Sequence, residues 1–182
     1  MAGLLHSRKN LWAAAAAVIL IAAAALVFFR FYFGSDEAAV KARLREVFAF
    51  VEKQPGSNLQ SIGMAHTLGG FFTEDAEISI LGEPNGVFVF SASGRNAIEG
   101  TYAVVRPMVS SLTISPDEIE VSFPGDSRTA ATVKGSLMAN GSSTRDVGFF
   151  REGRLFAAEL VREDDGEWRF RSFRAEPVIS FE

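Results

Sequence analysis

The chain has 182 residues, of which 48% are hydrophobic and 22% charged, so wholesale disorder is excluded and there is room for one ordinary domain plus an extra segment. It contains no cysteine, which excludes disulfides, thiolate metal sites, a cysteine nucleophile and a lipoprotein-type anchor, and its two histidines, His6 and His66, are too few for a histidine-rich metal site. The formal charge of −4 divides into +3 over residues 1–33 and −7 over the remainder, and an acidic domain without a basic stripe argues against a nucleic-acid partner.

From Leu11 to Phe29 run nineteen residues without charge or proline, LWAAAAAVILIAAAALVFF. At about 1.5 Å per residue they cover most of a hydrocarbon core about 30 Å thick, and the stretch continuing to Phe33 completes it, with Arg30 reaching back to the interface. Trp12 and Tyr32 suit the two interfacial belts. The stretch exceeds the core of a cleavable signal, and cleavage after Ala22-Ala23-Ala24 would leave an exposed greasy N-terminus. The expected organisation is therefore a cytoplasmic tail over residues 1–10, a membrane anchor over 11–33 and a folded domain over 34–182. Arg8 and Lys9 before the span and Asp36-Glu37 after it place that domain outside the cytoplasmic membrane, facing the periplasm.

Beyond the anchor, Ser35 reads as the N-cap of a helix with Asp36 and Glu37 in its first turn. Val40, Leu44, Val47, Phe48 and Val51 form its apolar stripe, and Pro55-Gly56 ends it. A second helix is expected over about 58–68, with Leu59, Ile62, Ala65 and Leu68 inward and Gly69-Gly70 as its stop. In TEDAEISIL, Ala76, Ile78 and Ile80 alternate with Asp75, Glu77 and Ser79, as in a half-buried strand. A turn at 82–86 leads to VFVFSA, a second short strand. Gly94 opens a third helix whose inner face carries Ile98, Tyr102 and Val105, and Pro107 disrupts its end. Strands follow at about 111–123, 128–139, 145–162 and 167–176, joined by turns at 123–126, 139–142 and 163–166. Helices followed by an antiparallel meander define an α+β arrangement.

The order of three pieces carries a resemblance: the aromatic pair before Thr73-Glu74-Asp75-Ala76, the Gly94-Arg95-x-x-Ile98 opening of a helix, and Asp165-Gly166-x-Trp168 entering the last strand. In this order, over about residues 36–176, the chain resembles the nuclear transport factor 2-like (NTF2-like) superfamily, in its SnoaL-like and ketosteroid-isomerase-like branch. The resemblance implies a curved, mainly antiparallel sheet wrapped around three N-terminal helices into a cone with an internal pocket. It does not imply one function, because such folds host isomerases, dehydratases, cyclases, hydrolases and non-catalytic modules.

In steroid-isomerase-like members a carboxylate near the end of the TEDAEISIL strand takes a proton from the substrate. Here that position falls on Ile80, or on Ser79 with a slip of one, and neither is a base. The remaining acid–base candidates are His66, Tyr102 and Asp75. With Phe72, Phe88 and Trp168, His66 and Tyr102 are also the pocket candidates. Arg151, Arg154, Arg169, Arg171 and Phe173 are interface candidates, because related folds often dimerise through this sheet; cross-strand ion pairing is the alternative for the arginines. Phe149, Phe150, Phe156, Phe170 and Phe173 suit either an interface or the core. No metal pair, phosphate loop or nucleophile elbow appears, so no cofactor is expected. The expected function is a membrane-anchored, non-catalytic binding or assembly module that joins a protein partner or itself. The alternative is a SnoaL-like pocket enzyme acting on a small hydrophobic molecule.

Overall fold

Helix α1 (Asp36–Val51) opens on the expected cap: the Ala38 amide donates to Ser35 Oγ at 3.1 Å. Val40, Leu44, Val47 and Phe48 are buried along one stripe. The helix stops at Val51, four residues before Pro55, because the next residues leave to pair with the sheet. Lys53 and Leu112 exchange both backbone hydrogen bonds at 2.8 Å. Helix α2 (Ser61–Gly69) and strand β1 (Phe72–Ile80) follow, then strand β2 (Phe90–Ser93) and helix α3 (Arg95–Val105), which runs into a 3₁₀ turn over Arg106–Met108. The last four strands are β3 (Val109–Ser122), β4 (Ala130–Ser143), β5 (Phe149–Arg162) and β6 (Trp168–Pro177).

The computed structural model describes residues 35–55, 61–82, 89–144 and 148–178, with Ile21 as an isolated position. Two compact units divide the chain, Met1–Ala39 and Val40–Glu182, and everything below concerns the second. The expected span over 11–33 lies, Ile21 apart, outside the described residues, as does Phe88. Among the described residues no helix is long and apolar enough to cross a membrane.

The six strands form one sheet in the order β2-β1-β6-β5-β4-β3, antiparallel throughout except where β1 runs parallel to β6. Its inner face packs on α1. Phe48 meets Phe156 edge-on at 5.8 Å, and Phe156 stacks on Phe173 at 5.9 Å. Burying each such side chain contributes about 1.5–3 kcal/mol. Arg43 ties the helix to the sheet: its Nε donates to the Trp168 carbonyl at 2.9 Å and its guanidinium lies 4.3 Å from the centre of the Phe71 ring.

Ala139-Asn140-Gly141-Ser142 is not the expected turn but the continuation of β4, which runs to Ser143. The residues keep the period of two: Ala139 and Gly141 are buried while Asn140 and Ser142 are half-exposed. Gly141 is required by close approach, since a Cβ there would lie 2.3 Å from the Ser111 carbonyl oxygen and 2.5 Å from the Phe150 ring. Gly135 makes similar room for Phe156 opposite a register shift at Asp117–Glu120, where Glu118 takes a positive φ of 51°. These features bend the sheet around its contents.

Two alanine substitutions test this packing. Gly141→Ala should destabilise the chain by about 1–3 kcal/mol through overpacking. Gly63→Ala, in open space on α2, should stabilise it by up to about 1 kcal/mol. Urea unfolding of the two variants checks the contrast; equal effects would contradict the packing described.

Candidate functional site

Between α1, α3 and the inner face of the sheet lies a cavity of about 200 Å³. Its wall is almost wholly apolar, with Phe48 and Val51 from α1, Phe72, Ile78 and Ile80 from β1, and Phe170 and Phe173 from β6. Alternation along β1 turns Ile78 and Ile80 inward and sends Ser79 to the other face, so the position expected of a base presents isoleucine. Among the described residues lining the cavity there is no carboxylate and no imidazole.

Four polar residues reach the wall: Thr101, Tyr102, Arg106 and Arg154. Helical spacing places Tyr102 one turn from Ile98 and from Arg106 on the inner side of α3 and its continuation. Tyr102 is the one lining residue whose buried polar atom lacks a hydrogen-bond partner among the described residues. Burial pushes its hydroxyl above the ordinary tyrosine value, and the neighbouring Arg106 opposes that shift more weakly.

Both guanidiniums are buried and held. Arg106 donates from Nη1 to the Val51 carbonyl at 2.5 Å and from Nη2 to the Glu52 carbonyl at 2.9 Å, closing the end of α1. It lies 5.8 Å from the centre of the Tyr102 ring. Lys53 backs it, donating from Nζ to the Val109 carbonyl at 2.7 Å and the Arg106 carbonyl at 3.3 Å. Burial, and then the Arg106 charge, hold the Lys53 ammonium below its ordinary pKa. Arg154 pairs with Glu152 at 2.5 Å and donates to the Leu81 carbonyl. Neither arginine was a pocket candidate in the sequence. The only signal for Arg154 was its place in the inward phase of β5, which its charge obscured.

Of the pocket candidates, Tyr102 and Phe72 line the cavity. His66 does not. Its side chain is 88% exposed on α2, where Nδ1 lies 3.5 Å from a Glu99 oxygen, so neither a pocket nor an acid–base role survives. Trp168 is buried beside Phe123, at 6.2 Å between ring centres, and is core rather than lining. Asp75 is exposed on the other face of β1, 3.9 Å from Arg171, and cannot serve the cavity.

The interface set divides as well. Arg151 and Arg171 are exposed on the outer face. Arg154 points inward and Phe173 lines the cavity, so both leave the set. Arg169 is engaged by Glu163 and, at 2.6 Å, by Asp165, whose carboxyl it holds below the usual range. Phe156 and Phe170 are buried, Phe150 packs against the core, and Phe149 is exposed. Arg95 donates to the Phe72 carbonyl at 2.7 Å and so pins the start of α3 to β1.

No family model and no curated protein matches the chain. Solved structures share its fold. Hexachlorocyclohexane dehydrochlorinase LinA-type3 from Novosphingobium barchaimii aligns with a TM-score of 0.57 at 16% identity, covering 79% of this chain and 90% of that one. ActVI-ORFA from Streptomyces coelicolor aligns with a TM-score of 0.55 at 16% identity, covering 78% and 96%. An NTF2-like protein with a cystatin-like fold from Novosphingobium aromaticivorans gives 0.58 at 16% identity over 85% and 90%. At such identities the likeness establishes the α+β, NTF2-like fold with its curved mixed sheet, and the fold alone.

The buried hydroxyl yields an alkaline signature. Because the folded pKa of Tyr102 is raised, its contribution to stability is present below the ordinary value of about 10 and is lost as pH rises through the folded value. Tyr102→Phe should remove that alkaline loss, measured as urea midpoints between pH 8 and pH 11. An unchanged profile would show that Tyr102 ionises like a solvated tyrosine.

Proposed function

We propose that the chain is a SnoaL-like pocket protein that takes a small hydrophobic molecule into its cavity, with the Tyr102 hydroxyl as the hydrogen-bonding anchor. The single observation that carries this is an unpartnered buried hydroxyl on a residue that lines an otherwise greasy cavity. An apolar cavity of about 150 Å³ stays dry and accepts benzene, so one of about 200 Å³ suits a ligand of one substituted ring. A buried hydroxyl without a partner costs about 1–3 kcal/mol, which a ligand oxygen would offset.

This reading is better supported than a purely assembly-forming module, because the cavity is open and the solved neighbours include a protein named as a dehydrochlorinase. That activity belongs to the neighbour. Any turnover by this chain would rest on Tyr102 as a donor to a ligand oxygen, since the described cavity wall offers no group to take a proton. We further propose that residues 11–33 tether the domain to the bilayer, which would put an apolar cavity close to a source of apolar molecules.

Two measurements test these proposals. Calorimetry with p-cresol should show saturable binding at one molecule per chain, weakened at least tenfold by Ala139→Leu, which adds bulk to the cavity wall. Absence of saturation would end the pocket reading; conversion of the bound molecule, lost in Tyr102→Phe, would make the protein an enzyme. The full chain expressed in bacteria should stay in the membrane fraction through alkaline carbonate washing, whereas the chain from Ser35 onward should not. Release of the full chain by the wash would sink the tether.

A further inference from the structure

The two buried guanidiniums of the cavity wall differ in how their charge is met. Arg154 is neutralised by Glu152, with Nε and Nη2 both donating to one carboxylate oxygen at 3.1 and 2.5 Å. Arg106 has no carboxylate partner among the described residues; its recorded acceptors are the backbone carbonyls of Val51 and Glu52. The Glu52 carboxylate is turned away, accepting from the Ile114 amide at 2.9 Å. A guanidinium carries five N–H donors, and the two carbonyls occupy one nitrogen each, so donors are left over. Lys53 adds a second positive charge behind the same turn. A buried charge met only by partial charges is costly, and an anion beside it is favoured.

Resting on the pocket reading above, we infer that the ligand is a small hydrophobic weak acid bound as its anion, with its charged oxygen between the Tyr102 hydroxyl and the Arg106 guanidinium. Its ring or alkyl body lies against Ile78, Ile80 and Phe173. The polarity follows from the residues of the wall: Tyr102 and Arg106, 5.8 Å apart from ring centre to guanidinium, bring a hydroxyl and a cation without a carboxylate partner among the described residues, and those three side chains bring carbon. A neutral ligand of the same shape would keep the apolar contact and the tyrosine hydrogen bond and would lose the charge interaction. A cationic ligand would meet repulsion.

Calorimetry at neutral pH with 4-methylbenzoate and the neutral 4-methylbenzyl alcohol, which shares its ring and methyl group, decides the matter. The carboxylate should bind the unmodified protein at least tenfold more tightly than the alcohol. Arg106→Gln keeps a donor for the helix-end carbonyls and removes the charge, so it should bring the preference below twofold; Arg106→Lys should retain it. Near-ultraviolet circular dichroism checks that each variant is folded, and where Arg106→Gln is not, the ratio in the unmodified protein stands as the test. Equal or tighter binding of the alcohol overturns the inference while leaving the pocket reading intact. A preference that survives in folded Arg106→Gln also overturns it. Binding of neither compound, nor of p-cresol, overturns both.

Discussion

Arg106 joins three pieces of backbone that would otherwise end without partners. The last carbonyls of α1 need donors, the turn after α3 needs a fixed direction, and β3 begins immediately afterwards. One guanidinium, buried to 8% exposure, supplies the donors to Val51 and Glu52 from the far side of the cavity. Hydrogen bonds from a charged donor contribute about 1.5–3 kcal/mol each. Lys53, one residue past Glu52, then returns the favour by holding the Arg106 and Val109 carbonyls. The helix end, the turn and the edge strand are locked into one corner, and the cavity opens beneath it with Tyr102 one helical turn away.

Much of this architecture is legible in the sequence because the apolar spacings are strong. The stripe from Val40 to Phe48, the alternation from Ala76 to Ile80 and the inner face Ile98–Tyr102–Val105 all take the places their periods demand. Errors arise where local chemistry and tertiary context disagree. Asn140-Gly141 reads as a turn, yet Gly141 is there to let Phe150 and the β3 backbone approach, a need that only the neighbouring strands reveal. Arg154 reads as surface because it is charged, and Phe173, standing among arginines, reads equally as interface or core. Strand phase sends both inward instead, at positions whose partners, Leu81 and Phe48, are remote in the chain. His66 is a residue type suited to proton transfer but stands on the exposed side of α2, where its contact with Glu99 beside Gly69 joins α2 to α3.

The same phases set limits on the chemistry. A base at the inward end of β1 requires a carboxylate at 78 or 80, and both are isoleucine. The acids of that strand, Glu74, Asp75 and Glu77, are exposed, and near β6 Glu163 and Asp165 are held by Arg169 and Glu176 by Arg174. Proton abstraction by the described wall is thereby removed, while hydrogen-bond donation by a tyrosine and attraction by a guanidinium remain. The site proposed above would recognise an oxygen and its charge, and the described wall holds no carboxylate or imidazole to take a proton from carbon.

The size of the cavity bears on whether it stays empty. At about 24 cal/mol per Å³, an unfilled space near 200 Å³ corresponds to a deficit on the order of 5 kcal/mol. That is comparable to the whole stability of many domains, about 5–15 kcal/mol. The fold carries aromatic rings enough to fill such a space: Phe48, Phe72, Phe170 and Phe173 all border it. They pack instead against one another and against Phe156, at ring-centre distances of 5.6 to 6.5 Å, and form a rigid wall around the opening. A wall braced by its own aromatic contacts resists collapse into the space. It holds Tyr102 and Arg106 in place, and for the ligand proposed above that would lower the ordering cost of binding.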